Sequence, residues 1–253
     1  MQTVKLGSKG NDVKTLQTIL NIYPVDGIYG NGTFNLVKKF QKEHGLVQDG
    51  IVGPATWKIL VSMTSDIYIK CAYKIGCEVA AFKAVKYVET GTNKAFLSNG
   101  MPSILFEGHI FWKELQKRNI SPLKYIKGNE NILYKYWTSK YYIGGTSEYT
   151  RLNKARKINI DAANASTSWG MFQIMGNNYK QCGCTSISDM VSKICKSEEW
   201  QIQLAANFIS NSSVLKNALI NRQWETFAKA YNGEGYKKNN YDTKLKNYYN
   251  KIK

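Results

Sequence analysis

The sequence predicts a mainly α protein in two parts, a bundle of three short helices over residues 1–63 and a larger α-rich domain over residues 65–253. Three observations carry this expectation. Apolar residues recur at helical spacing, as at Trp224, Phe227, Ala228 and Tyr231, which fall at i, i+3, i+4 and i+7. A glycine-turn pattern is used twice within the first 63 residues. The 253 residues are 43% hydrophobic and 21% charged, a globular balance for one or two domains. The chain lacks the run of ~20 apolar residues that a membrane-spanning helix needs.

In the first part, Asp26-Gly27-Ile28-Tyr29-Gly30-Asn31-Gly32-Thr33-Phe34 returns 23 positions later as Asp49-Gly50-Ile51-Val52-Gly53-Pro54-Ala55-Thr56-Trp57. Each copy has an Asp-Gly turn, a second glycine three residues on, and a threonine suited to capping a helix. Val13, Leu16 and Leu20 lie on one helical face before the first copy. Phe34, Val37 and Phe40 follow it, and Trp57 and Leu60 follow the second. In the second part, Thr64-Ser65-Asp66 supplies N-cap chemistry for a short helix over 67–75 that breaks at Gly76. Residues 77–89 read as another helix, with Gly91 as its C′ residue. Residues 91–106 read as loop or short strand. Tyr141–Gly145 and Asn164–Gly170 read as turns, and the chain from Glu198 onward as strongly helical.

Charge and rare residues narrow the chemistry. There are 35 basic and 18 acidic residues, a net charge of +17. Residues 1–63 hold 7 lysines and 4 acids, so the excess lies in the second part. Such a balance suits a polyanionic partner, whether nucleic acid, an anionic membrane or an acidic wall polymer, or else a generally solvated basic surface. The charge is dispersed and brings no nucleic-acid motif, so no nucleic-acid partner is expected. The histidines, His44 and His109, stand 65 positions apart, too few and too distant for most His-built metal sites. The five cysteines, Cys71, Cys77, Cys182, Cys184 and Cys195, read as free thiols, with a disulfide left open for a protein working outside the cell. Met1–Lys5 lacks the layout of a secretory signal, so synthesis in the cytoplasm is expected.

Carboxylates remain, and glycoside hydrolysis runs on carboxylates. Glu89 closes the apolar helix beginning at Val79. A carboxyl there faces the negative end of the helix dipole, and apolar surroundings push the same way, toward a retained proton. Glu107 is a second acidic candidate in Ile104-Leu105-Phe106-Glu107-Gly108-His109-Ile110-Phe111-Trp112. It either positions water or tunes Glu89, or it is a structural acid bonding backbone or Arg118. His109, set among Ile110, Phe111 and Trp112, reads as structural.

These motifs carry resemblances to two families. Leu6-Gly7-Ser8-Lys9-Gly10, Leu16-Gln17, Phe40-Gln41 and the two Asp-Gly turns resemble the peptidoglycan-binding type 1 domain of cell-wall hydrolases. Val88-Glu89-Thr90-Gly91, the segment around Glu107, Ser168-Trp169-Gly170-Met171-Phe172-Gln173-Ile174-Met175-Gly176 and Tyr231-Asn232-Gly233-Glu234-Gly235-Tyr236 together resemble the N-acetylmuramidase domain of phage endolysins. The second resemblance implies a lysozyme-like fold with a small β-hairpin region. It also implies cleavage of the β-1,4 bond between N-acetylmuramic acid and N-acetylglucosamine by general acid catalysis, without metal or cofactor. Glu89 would be the acid, with Glu107 catalytic beside it. Ser168 and Gln173 would contact the sugar, and Tyr231 and Asn232 would orient Glu89 or the acetamido group. Trp169 and Phe172 would form core or cleft wall. Thr90 stands where that family often has serine and keeps the hydroxyl. The implied partner of the monomer is bacterial peptidoglycan, with anionic wall polymers or outer-membrane lipid attracted by charge, reached after a separate partner permeabilises the membrane. A lytic transglycosylase leaving 1,6-anhydro ends, or a non-catalytic wall-binding component, are the alternatives.

Overall fold

The computed structural model describes residues 1–88 and 94–253 with their side chains, and residues 89–90 by their backbone. In chain order the elements are α1 (Asn11–Ile19), α2 (Asn31–Glu43), α3 (Pro54–Met63), α4 (Ile67–Ile75), α5 (Val79–Thr90), β1 (Ile104–Phe106), α6 (Gly108–Lys117), α7 (Ser147–Arg156), α8 (Ile160–Ala165), β2 (Thr167–Trp169), β3 (Ile174–Met175), α9 (Ile187–Lys196), α10 (Glu198–Ser210), α11 (Ser213–Ile220), α12 (Trp224–Asn232) and α13 (Tyr241–Ile252). They form two compact units. One comprises residues 1–88 with 212–253, the other residues 89–211.

In the first unit the repeated turns are built alike. Asp26 and Asp49 each turn their Oδ1 onto the backbone N–H two residues on, that of Ile28 or Ile51, at 2.8 Å. A buried glutamine then clamps each turn. Gln17 donates to Asp26 Oδ1 at 2.8 Å and accepts from Gly27 N–H at 2.9 Å. Gln41 does the same with Asp49 and Gly50, at 3.0 and 2.9 Å. Gly50 is required twice over: its φ is +69°, and a Cβ would stand 2.2 Å from the Phe34 ring. Thr33 and Thr56 do not cap their helices. The extended glycines Gly30 and Gly53 hold the N-cap positions of α2 and α3, and the threonines are buried inside the first turn. Val13, Leu16, Val37, Phe40, Trp57 and Leu60 form the core, which continues into α4 through Ile69.

Asp66 caps α4 by accepting from Tyr68 N–H and Ile69 N–H, and the left-handed Gly76 ends it, both as expected. In α5, Ala80, Ala81, Phe82, Ala84, Val85 and Val88 are buried. Glu78, just before that helix, accepts from Asn11 of α1 at 2.6 Å, from Tyr249 of α13 at 2.7 Å, and from Arg222. One carboxylate thus ties together four stretches of chain. The expected C′ residue Gly91 lies outside the described residues.

The second unit is helical around a three-stranded antiparallel sheet in the order β1-β2-β3. Ile104 pairs with Trp169, Leu105 with Ser168, Phe106 with Thr167, and Ser168 also with Met175. The expected hairpin is the β2–β3 pair, and β1 joins its far side. Residues 164–170 are therefore the end of α8 and a strand rather than turns alone. Strands of two or three residues are too short to display alternation. Phe106, Phe111, Leu115, Leu152 and Ala155 are completely buried, as are the small residues Ala162, Ala163 and Ala165 of α8. All five cysteine thiols are free, and all but Cys195 are buried.

Candidate active site

Glu107 sits where β1 passes into α6. Its backbone N–H continues the sheet by donating to Ser166 C=O at 2.9 Å, and its carbonyl accepts the first helical bonds, from Ile110 and Phe111. The side chain is free of capping duty and largely buried. Its Oε2 accepts a short hydrogen bond from the Tyr142 hydroxyl. His109 Nδ1 lies 3.3 Å from the same oxygen, buried and without hydrogen-bond geometry. Burial pushes the Glu107 carboxyl above its ordinary range; the Tyr142 bond and the Arg151 charge oppose this, and Glu148 adds to it. Burial, then the charge of Lys113, hold the His109 imidazole below its ordinary value, so it is neutral at neutral pH. Burial and then Glu107 push the Tyr142 phenol up, keeping it a donor.

The expected alternative partner, Arg118, bonds Glu114 instead, at 2.6 Å. Glu114 lies one helical turn before it, at the i,i+4 spacing that favours such a pair. The residues that do organise Glu107 come from farther along the chain. Glu148 and Arg151 of α7 form an ion pair at 2.7 Å, with both side chains essentially inaccessible to water. Glu148 also accepts from the N–H groups of Phe106, Ile143 and Gly144, at 3.1, 2.9 and 3.3 Å. Arg151 donates to the carbonyls of Phe106 and Asn131, at 3.0 and 3.1 Å, and to Tyr134 Oη at 3.3 Å. The pair therefore fixes the end of β1, the 131–134 segment and the 143–144 segment that follows Tyr142. Gly108 permits the closest of these approaches: a Cβ there would stand 2.4 Å from the Tyr134 ring, whose hydroxyl accepts Gly108 N–H.

The other candidates are placed as follows. Ser168 pairs across the sheet with Leu105, two residues before Glu107, and directs its hydroxyl to Met175 Sδ at 3.1 Å. Gln173 takes the left-handed corner of the β2–β3 turn, with φ 48°, and its amide donates to Gly170 C=O at 2.8 Å. With Leu97, Ser103, Ile104, Leu105, Gly144 and Gly145, Gln173 lines a cavity of ≈ 240 Å³. Trp169 and Phe172 are buried core, as expected. Tyr231 and Asn232 end α12 in the other unit, where the Tyr231 ring stacks on Phe227 at 5.5 Å. Glu89 is the penultimate residue of α5, and its side chain lies outside the described residues.

Sequence reasoning missed Tyr142, Tyr134, Glu148, Arg151 and Gln201. Gln201, buried in α10, accepts Met171 N–H at 2.8 Å and donates to Ala95 C=O at 3.2 Å, buttressing the hairpin. Only Glu148 and Arg151 carried a local signal, opposite charges at i,i+3 on a helix. Among the described residues, no three His, Cys, Asp or Glu side chains gather closely enough to hold a metal ion. The chemistry on offer is that of a carboxyl biased toward its protonated form, held by a phenol, with a neutral imidazole nearby, beside a small sheet.

A mainly α unit built around a small three-stranded sheet is the architecture of a lysozyme-like fold. Residues 78–253 match the N-acetylmuramidase family, and residues 9–60 match the family of peptidoglycan-binding domains. The chain belongs to the N-acetylmuramidase family. The crystal structure of the Burkholderia AP3 phage endolysin is similar along the whole length, with 33% identity, a TM-score of 0.67, and coverage of 99% of this chain and 98% of that one. The zinc D-Ala-D-Ala carboxypeptidase of Streptomyces albus G is 37% identical over 71 residues, 25% of this chain and 28% of that protein. The N-acetylmuramoyl-L-alanine amidase CwlL of Bacillus licheniformis is 42% identical over 67 residues, 24% of this chain and 19% of that protein. This chain thus spans at most 28% of the length of these two relatives.

Proposed function

We propose that this protein is a peptidoglycan hydrolase that cleaves the β-1,4 bond between N-acetylmuramic acid and N-acetylglucosamine, and so lyses bacterial cells. Residues 1–63 would hold the wall and residues 65–253 would cut it, with the protein acting as a monomer. The observation that carries this reading is the N-acetylmuramidase match over residues 78–253, a span that contains both Glu89 and Glu107. Glu89, at the end of α5, is the general acid: it gives its proton to the glycosidic oxygen as the bond to the muramic-acid anomeric carbon breaks. Water adds to that carbon, and the proton it releases restores the Glu89 carboxyl. Glu107, held by Tyr142, orders the water or tunes the acid. Ser168 and Gln173 meet the sugar, and Tyr231 and Asn232 orient the reacting groups. The net charge of +17 draws the protein to anionic wall polymers or outer-membrane lipid.

The test is digestion of purified peptidoglycan followed by mass spectrometry. New reducing muramic-acid ends are expected from the unaltered protein. Glu89→Gln keeps shape but cannot donate the proton, so activity should fall by at least ~10²-fold with sedimentation on the wall unchanged. Anhydro ends would make the enzyme a lytic transglycosylase, and no soluble fragments at all would refute the reading. Near-normal turnover by Glu89→Gln with a dead Glu107→Gln would exchange the two roles.

A further inference from the structure

Between the short turn at Pro122–Tyr125 and α7, the chain carries large side chains into solvent. Tyr136 is 75% exposed and Trp137 66%. Exposed aromatics that cluster mark a contact surface, and these two are held at both ends of a short loop. On one side the Tyr134 ring stacks on His109, with centroids 6.4 Å apart, and packs against Tyr141 at 5.3 Å. On the other side Tyr142 bonds Glu107, and the N–H groups of Ile143 and Gly144 are bound by Glu148. The Trp137 side chain itself lies beside the Tyr142 hydroxyl. Lys135 lies 5.4 Å from the centre of the Tyr136 ring and Lys140 5.3 Å from that of Tyr141, so each of these two tyrosines has a cation over its ring.

Trp137 thus stands next to the phenol that bonds the carboxyl of the candidate site, and Tyr136 precedes it in the chain. A pyranose offers an apolar face of axial C–H groups and a rim of hydroxyls and amides, which suits an aromatic face bordered by polar groups. We propose that Trp137, with Tyr136 beside it, is a stacking platform for a hexosamine ring of the glycan strand bound next to Glu107. The proposal rests on the glycan-cleaving reading and names a residue that would hold that substrate. A membrane-inserting loop would gain nothing from having its tryptophan set beside the carboxyl's own phenol, whereas a sugar subsite gains proximity to the site. Because the loop is ordered beforehand, less conformational freedom is lost on binding.

The experiment uses the full chain and two substitutions, Trp137→Ala and Trp137→Phe. Affinity is read by calorimetry with a β-1,4-linked N-acetylglucosamine hexamer, and KM and kcat by release of reducing ends from peptidoglycan. Loss of an aromatic contact should weaken hexamer binding and raise KM by about 3- to 10-fold, with kcat changed less. Trp137→Phe keeps a ring face and should stay within about twofold of the unaltered protein. Unchanged affinity and KM in Trp137→Ala overturn the proposal. Unchanged KM with lost binding to anionic phospholipid vesicles overturns it too and assigns the loop to a membrane surface. Trp137-dependent hexamer binding without cleavage of peptidoglycan would sink the hydrolase reading and leave the platform standing. Cleavage with a KM indifferent to Trp137 would do the reverse.

Discussion

Replacing Arg151 by methionine should destabilise the protein more than any surface change could. The guanidinium is 1% exposed and the Glu148 carboxylate 0%. Methionine fills much of the same volume but removes every donor. Glu148 would then keep a full charge in the interior with only backbone N–H groups around it, while the carbonyls of Phe106 and Asn131 would lose their partner. Breaking a buried ion pair from one side costs about 3–5 kcal/mol, because the remaining charge is uncompensated. For a domain of this size each kcal/mol lowers Tm by about 2–4 °C, so a fall of roughly 6–20 °C is expected. Thermal unfolding by circular dichroism and urea titration measure it. The partner substitution supplies the control: in Arg151→Met with Glu148→Gln no charge is stranded, so the double variant should lose less than the two single losses combined, by at least about 1 kcal/mol. An Arg151→Met variant within 1 kcal/mol of the unaltered protein, or strictly additive losses, would refute the account.

Two further outcomes are expected. The folded-state carboxyl of Glu107 is raised above its ordinary 4.5, so what it contributes to stability is present below that pH and is lost as the pH rises through the folded value. Glu107→Gln, which carries no charge at any pH, should therefore gain stability relative to the unaltered protein between pH 4 and pH 7; equal Tm differences at the two pH values would contradict this. Gly50→Ala forces a side chain into a left-handed turn and against the Phe34 ring, and should cost at least about 1–2 kcal/mol. A urea midpoint that does not move would show that the turn can rearrange freely.

The features legible in the sequence were those with local causes. An Asp-Gly turn is made by neighbours, so its recurrence announced both copies; the Leu-Gln and Phe-Gln pairs stood out only as motifs, and that their glutamines clamp the turns is seen in the structure. The threonines misled because a glycine three residues earlier takes the extended cap conformation, leaving Thr33 and Thr56 inside the helix. Glu107 and the hairpin were visible as motifs, but their surroundings were not. Tyr142 reaches Glu107 across 35 positions and Glu148 reaches Phe106 across 42, through a segment without periodicity. Arg118 had looked a plausible partner for Glu107 on proximity alone, yet a carboxylate one turn away on the same helix claims it. Long-range contacts of this sort depend on the path of irregular chain, which composition and spacing do not encode.

The paired glutamine clamps of the first unit also bear on how that unit meets a changing medium. Each turn is held by a neutral amide rather than by an opposite charge, and hydrogen bonds from the glutamine and from the backbone hold both Asp26 and Asp49 below the usual carboxylate range. Dissolved salt weakens exposed charge–charge attraction beyond ~10 Å at ~0.1 M, but it has little purchase on a short amide bond made by a side chain as buried as Gln17 or Gln41. The shape of the turns and the electrostatic pull of the surface are thereby decoupled. Brine would screen the exposed lysines while leaving the turns themselves unaltered.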